Sequence, residues 1–249
     1  MTSTNSMYTI VGRLLTAVVM TCLCACTPKA KIAKTVHAPY HQDQIWAVAP
    51  FMNESGISTI RVDAVADAFA EQAQHVQGID VVPVNRVILA MTKLNMKVVS
   101  TVAEAEQLLE ILNVDGLVLG SITTYDPYPP PKLGIAIQLY MAPDVRLLNT
   151  DPDYVVHAAS DRWLGSAGSM PQNPVAQAAG VFDAIDNRTI SNVNQYAESR
   201  HPTTSAYGPS IYLVSMDLYT EFVAHRLINE LLHNEKQRLM AGLEGDGRP

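Results

Sequence analysis

No cysteine follows Cys26 in the 249-residue chain, and the three that exist, Cys22, Cys24 and Cys26, fall within five positions. That distribution excludes a disulfide framework across the fold. It also makes a poor zinc site, because structural zinc needs four ligands from a formed scaffold and no Cys or His pair follows at suitable spacing. A concentrated basic surface is missing too. The formal net charge is -7 and the 17 Lys and Arg residues are scattered, which argues against nucleic acid as a partner, since phosphate binders gather cations on one face. Neither the P-loop nor the dinucleotide-binding glycine pattern occurs, so nucleotide binding has no support. The apolar run from Leu14 to Ala25 has about twelve residues where a membrane-spanning helix needs about 20.

What is present is ample core material. Apolar residues make up 48% of the chain and charged residues 16%, which excludes global disorder. A chain of this length holds one principal domain with elaborations.

Arg13 followed by that short apolar run reads as a signal peptide over residues 1–25, with Met7 as an alternative start. Leu23-Cys24-Ala25-Cys26 resembles the lipobox of bacterial lipoproteins. The resemblance implies cleavage before Cys26, a diacylglycerol on its thiol and a third acyl chain on the freed amine. Two or three chains anchor a protein stably where one does not. The alternatives are an uncleaved apolar helix and an ordinary secretory signal. Thr27 stands after the anchor rather than Asp, which by the same resemblance favours the outer membrane, facing the periplasm. Residues 26–44 carry Pro28, Pro39, His37, His41 and the cluster Lys29, Lys31 and Lys34. They read as an extended lipidated tether whose lysines are solvated or touch anionic headgroups.

The fold is expected to begin at Ile45. Ile45 to Phe51 reads as a buried strand, and Val62, Val65, Phe69, Ala73 and Val76 mark an amphipathic helix within Ser58 to Val76. Ile79 to Val84 supplies a second strand and Asn85 to Leu94 a short helix. Thr101 with Glu104 forms a capping box for a helix ending near Leu112. Gly116 to Tyr125 and Leu133 to Met141 read as paired strands joined by the stiff connection Asp126 to Pro131. The order β-α-β-α-α-β-β defines an α/β domain over 45–148, a sheet with flanking helices in two or three layers. A loop-rich and helical extension over 149–241 is expected to pack on it, with a helix around Val175 to Tyr196. A long C-terminal helix from Ser210 to Met240 follows from the stripe Tyr212, Met216, Tyr219, Val223, Leu227 and Leu231. Residues 242–249 read as a disordered tail.

Ala47-Val48-Ala49-Pro50-Phe51 and Val114-Asp115-Gly116-Leu117-Val118-Leu119-Gly120 resemble the opening strand and a later strand entry of the CsgG, LpoB and TolB N-terminal-like α/β domains of envelope lipoproteins. The resemblance covers residues 45 to 142. It implies a non-enzymatic role, as a secretion pore, an activator of wall synthases or an assembly factor. The two amphipathic hairpins that a pore inserts are not visible, and alternation from Leu133 to Met141 is imperfect, which disfavours a pore.

Several constellations invite chemistry. Asp217, Glu221 and His225 fall at i, i+4 and i+8 on one side of a helix, a row that suits either a metal or a solvated face. Asp151, Asp153 and Asp161 resemble the paired carboxylates of glycoside hydrolysis, but Asp is also a common turn former. Gly165 to Ser169 lacks the order of a nucleophile elbow. The connection flanked by tyrosines, with Tyr125, Tyr128, Pro129, Pro130, Pro131 and Tyr140, offers a preorganised partner-binding surface. The expectation is a lipid-anchored envelope protein that binds a protein or cell-wall partner, uses no metal or cofactor and catalyses nothing. The competing expectation is a lipid-tethered hydrolase acting on envelope saccharide through the Asp151 to Asp161 loop.

Overall fold

Apolar side chains on both faces put β1 (Gln44–Val48) inside a sheet: Trp46 and Val48 enter one hydrophobic core, and Ala47 with the following Ala49 enters a second. The computed structural model describes residues 35–142, 174–198, 200 and 207–244. Cys26, the Asp151 to Asp161 loop, Gly165 to Ser169 and residues 245–249 lie outside them.

Beside β1 run β3 (Ile79–Val82) and β4 (Gly116–Asp126), both parallel to it, while β5 (Lys132–Met141) and β6 (Ala176–Asp183) continue the sheet antiparallel. The order is β3-β1-β4-β5-β6, and the two-residue β2 (Met52–Asn53) pairs with β4 beyond the end of β1. The result is an open, mixed, six-stranded sheet with flanking helices, the α/β class expected.

One face is covered by α1 (Val62–Gln74) and the long C-terminal α5 (Met216–Glu244), with α4 (Asn187–Glu198) completing the layer. Phe69 meets Phe51 at 4.8 Å, and Tyr196 meets Tyr212 edge-on at 5.4 Å. The other face holds α2 (Val84–Lys93) and α3 (Val102–Leu112), whose Val87, Met91, Leu108 and Leu112 pack over Ala47, Val82 and Leu117. The expected capping box is made: Thr101 Oγ1 accepts from Glu104 N at 3.2 Å, and Glu104 Oε2 accepts from Thr101 N at 3.0 Å and Ser100 N at 2.7 Å. These backbone donors hold the Glu104 carboxyl below its usual range.

Two glycines in β4 are dictated by aromatic rings. A Cβ on Gly116 would lie 2.7 Å from Trp46 Cδ1, and one on Gly120 would lie 2.6 Å from the Phe51 ring. Asp115 ties the same corner together, its carboxylate accepting from Ile45 N at 2.7 Å and its own N–H donating to the Ile45 carbonyl at 2.8 Å. The two segments that carry the family resemblance thus meet here.

Three sequence expectations change. The helix expected from Val175 to Tyr196 is instead β6 followed by α4. Alanine favours helix in isolation, but an eight-residue register with β5 burying Ala176 and Ala178 outweighs that preference. The C-terminal helix begins at Met216, and Tyr212 lies in a separate six-residue 3-10 segment, Gly208–Leu213. The chain also joins the fold before Gln44, with Val36, Ala38 and Tyr40 already packed on the core.

Candidate functional site

The two faces of the sheet are unequally covered. Helices α2 and α3 lie over β3, β1 and the first residues of β4, and none of the described helices lies over the rest of that face. The uncovered part presents Leu119 and Ser121 of β4, Ala136, Gln138 and Tyr140 of β5, and Gln177, Ala179 and Val181 of β6. Val181 is 61% exposed. A solvated antiparallel face normally alternates apolar-in with polar-out. Here four of the eight outward positions, Leu119, Ala136, Ala179 and Val181, are apolar and none of the eight is charged, while Lys132 and Asp183 pair at the hairpin end of the same face.

Where this face meets α3, the loop Val98 to Val102 rises over it and forms a cleft of about 310 Å³. Val98, Val99, Val102, Leu119 and Ala136 supply apolar walls, while Ser100, Ser121, Gln138 and Tyr140 supply hydrogen-bonding groups. The Tyr140 hydroxyl donates to Gln138 Oε1 at 3.1 Å, and burial raises its pKa. Shallow and of mixed polarity, with Glu54 and Thr101 also in its lining, the cleft suits a side chain or an extended segment of a partner.

The tyrosines and prolines singled out in the sequence are not brought together. Tyr140 pairs with Leu117 at one end of the hairpin, and Tyr125 pairs with Leu133 at the other, about 23 Å along β5. They also face opposite sides: Tyr140 packs beside the α2–α3 core and Tyr125 against the α1–α5 core. Tyr128 is 78% exposed at the hairpin tip, its N–H held by Asp126 Oδ1 at 3.2 Å, with Pro129 and Pro130 next to it in a cis linkage. The tip is tied to β6 by Ala184 N donating to the Pro131 carbonyl at 3.0 Å and by a 2.6 Å pair of Lys132 with Asp183. Ile185, 71% exposed, stands beside that junction. Sequence reading missed Val181 and Ile185 because the whole of β6 was read as helix.

The row Asp217, Glu221 and His225 divides. Asp217 and Glu221 line a second cleft of about 340 Å³ between α1 and α5, with Arg61, Asp67, Glu71 and Tyr125. Burial and Asp217 raise the Tyr125 pKa. His225 instead packs on the Tyr196 ring at 4.9 Å and receives Asn229 Nδ2 at 3.1 Å. Burial, then Arg200, Arg226 and His75, push its imidazole down to about 4. Among the described residues no group of three His, Cys, Asp or Glu side chains is arranged to hold a metal, and no helix is long and apolar enough to cross a membrane.

No protein-family model matches the chain, and no curated protein matches it. Among solved structures it is similar to the C-terminal domain of LpoB from Salmonella enterica, at 10% identity and a TM-score of 0.34 over 45% of this chain and 77% of that one. It is also similar to lipoprotein GNA1162 from Neisseria meningitidis, at 15% identity and a TM-score of 0.35 over 64% of this chain and 99% of that one. A PelC dodecamer from Paraburkholderia phytofirmans aligns at 10% identity and a TM-score of 0.33 over 82% of this chain and 94% of that one.

Proposed function

We propose that this chain is a lipid-anchored envelope protein, held through acylated Cys26 at the outer membrane and facing the periplasm, that binds a protein partner and performs no chemistry. The observation that carries the binding role is the helix-free half of the sheet, with its exposed Val181 and the adjoining cleft at Tyr140. Exposed apolar patches on a folded surface mark interaction sites. The eight central positions of that face carry no charge, with Glu54 at the cleft and the Lys132–Asp183 pair at the hairpin edge, so a largely uncharged protein surface with a polar rim fits it. Small side chains at Ala136 and Ala179 let a partner backbone approach closely.

The test is affinity capture from detergent-solubilised envelopes with the full chain. A stoichiometric partner recovered with the native chain should be lost with Val181→Asp and with Tyr140→Ala, yet retained with Gln107→Asp on the exposed side of α3. Capture indifferent to Val181→Asp and Tyr140→Ala would sink this surface as the binding site. Hydrolysis of an envelope saccharide that Asp153→Asn and Asp161→Asn abolish would overturn the non-enzymatic reading. Mass spectrometry of the N-terminal peptide checks the anchor directly, since Cys26 should be acylated and no longer joined to Ala25.

A further inference from the structure

The cleft between the sheet and the Val98 to Val102 loop has a single charged residue in its lining, Glu54. The strand pairing fixes where it stands. Met52 pairs with Ser121, and Glu54 N–H extends that pairing by donating to the Ile122 carbonyl at 2.9 Å, so Met52 and Glu54 fall on the same side of the sheet as Leu119 and Ser121. Ser121 pairs in turn with Ala136 of β5, and Leu119 with Gln138. Glu54 thus stands at one end of the cleft and Tyr140, paired with Leu117, at the other, about 20 Å apart along the strands. No ion pair and no side-chain hydrogen bond joins the exposed Glu54 carboxylate to any described residue.

The walls are held in place. Glu104 Oε2 accepts from the Ser100 and Thr101 amides, Val99 is buried in the α2–α3 core, and Gln138 is fixed by the Tyr140 hydroxyl. A preformed cleft loses little entropy on taking an occupant. At about 310 Å³ it has room for one or two side chains and none for a helix. Val98, Val102 and Leu119 are apolar, and a carboxylate that the fold leaves unpaired lies at the β2 end. A long cationic side chain matches both, because lysine and arginine lay their methylene stems along apolar walls and keep the charged head at the rim. An acidic side chain would be repelled by Glu54. A purely apolar one would strip water from the carboxylate without replacing it.

We propose that this cleft selects its partner segment by one basic residue, a lysine or arginine whose stem lies on Val98, Val102 and Leu119 and whose cation pairs with Glu54; this rests on the cleft being part of the partner site proposed above. The pair is selective rather than strong. An ion pair open to solvent contributes little affinity, but it rejects a partner of the wrong charge.

Amide NMR titrations of the full chain with N-acetyl-lysine methylamide, N-acetyl-arginine methylamide and the uncharged N-acetyl-norleucine methylamide test this. The two cationic probes should shift the Ser100, Leu119, Ser121 and Gln138 amides and bind about 3- to 10-fold more tightly than norleucine. Glu54→Gln should remove that margin, whereas Glu110→Gln, at an exposed position of α3 outside the cleft lining, should keep it. Raising the ionic strength from about 0.1 M to about 1 M should narrow the margin, because the Debye length falls from roughly 10 Å to roughly 3 Å. Equal affinities for the cationic and norleucine probes, or a margin that survives Glu54→Gln, overturn the selection of a basic residue and leave the cleft standing as a partner site. Shifts absent from the cleft with all three probes overturn this inference together with that reading of the cleft.

Discussion

Gly116 lies flat against the Trp46 indole, so close that a Cβ on it would sit 2.7 Å from Cδ1 and 2.8 Å from Nε1. The indole is fully buried at the β1–β4 seam. Gly116→Ala must therefore move Trp46 or part the strands. Overpacking of this kind costs about 1–3 kcal/mol, read as a lower urea midpoint with an unchanged slope, together with a shift in tryptophan emission.

The ion pair of Glu235 with Arg238 predicts an asymmetry. Arg238→Met leaves a fully buried carboxylate short of its cation. The loss should be about 2–4 kcal/mol, somewhat below the cost of breaking a wholly buried pair because Arg238 is partly exposed. The double variant Glu235→Leu with Arg238→Met should recover most of that loss, and a double variant no more stable than the single would refute the argument.

Thr101→Ala removes the side-chain acceptor at the start of α3 and should cost about 1 kcal/mol in thermal or chemical unfolding. Thr101→Ser should be close to neutral, since the hydroxyl is kept.

His225 gives the fold an acid-sensitive component. Its folded imidazole titrates at about 4, below the value near 6.5 of an unfolded histidine. As pH falls, the unfolded chain takes the proton first. The contribution is complete above about pH 6.5 and is lost progressively on the way down to pH 4. Its size is on the order of 2 kcal/mol, discounted for partial exposure. His225→Gln should flatten the stability profile between pH 7 and pH 4 relative to the native chain, and parallel profiles would disprove the assignment.

The first half of the fold was legible because its signals are local. Pro50 and Gly78 punctuate strands, the Thr101–Glu104 box starts a helix, and β-branched runs fill β3 and β4. The second half depends on partners distant in sequence. Nothing within Ala176 to Asp183 distinguishes strand from helix; the free edge of β5, more than thirty residues earlier, decides it. The candidate surface shared that fate. Tyr140 was visible as a half of it, but Val181 and Gln177 join it only once β6 is laid in register, and Tyr125 leaves it for the opposite face.

The departure of Tyr125 follows from one irregularity in β4. The register with β5 slips between Ile122 and Thr124, so that Thr123 and Thr124 both stand over Gly134, where a Cβ would meet Thr123 Oγ1 at 2.7 Å. The extra residue reverses the phase of the strand: even positions point to the α1–α5 core before it and odd positions after it. One chain segment thereby furnishes Leu119 and Ser121 to the helix-free face and Tyr125 to the acidic cleft. The two surfaces can then diverge separately, since a change of residue on either side of the slip leaves the parity of the other intact.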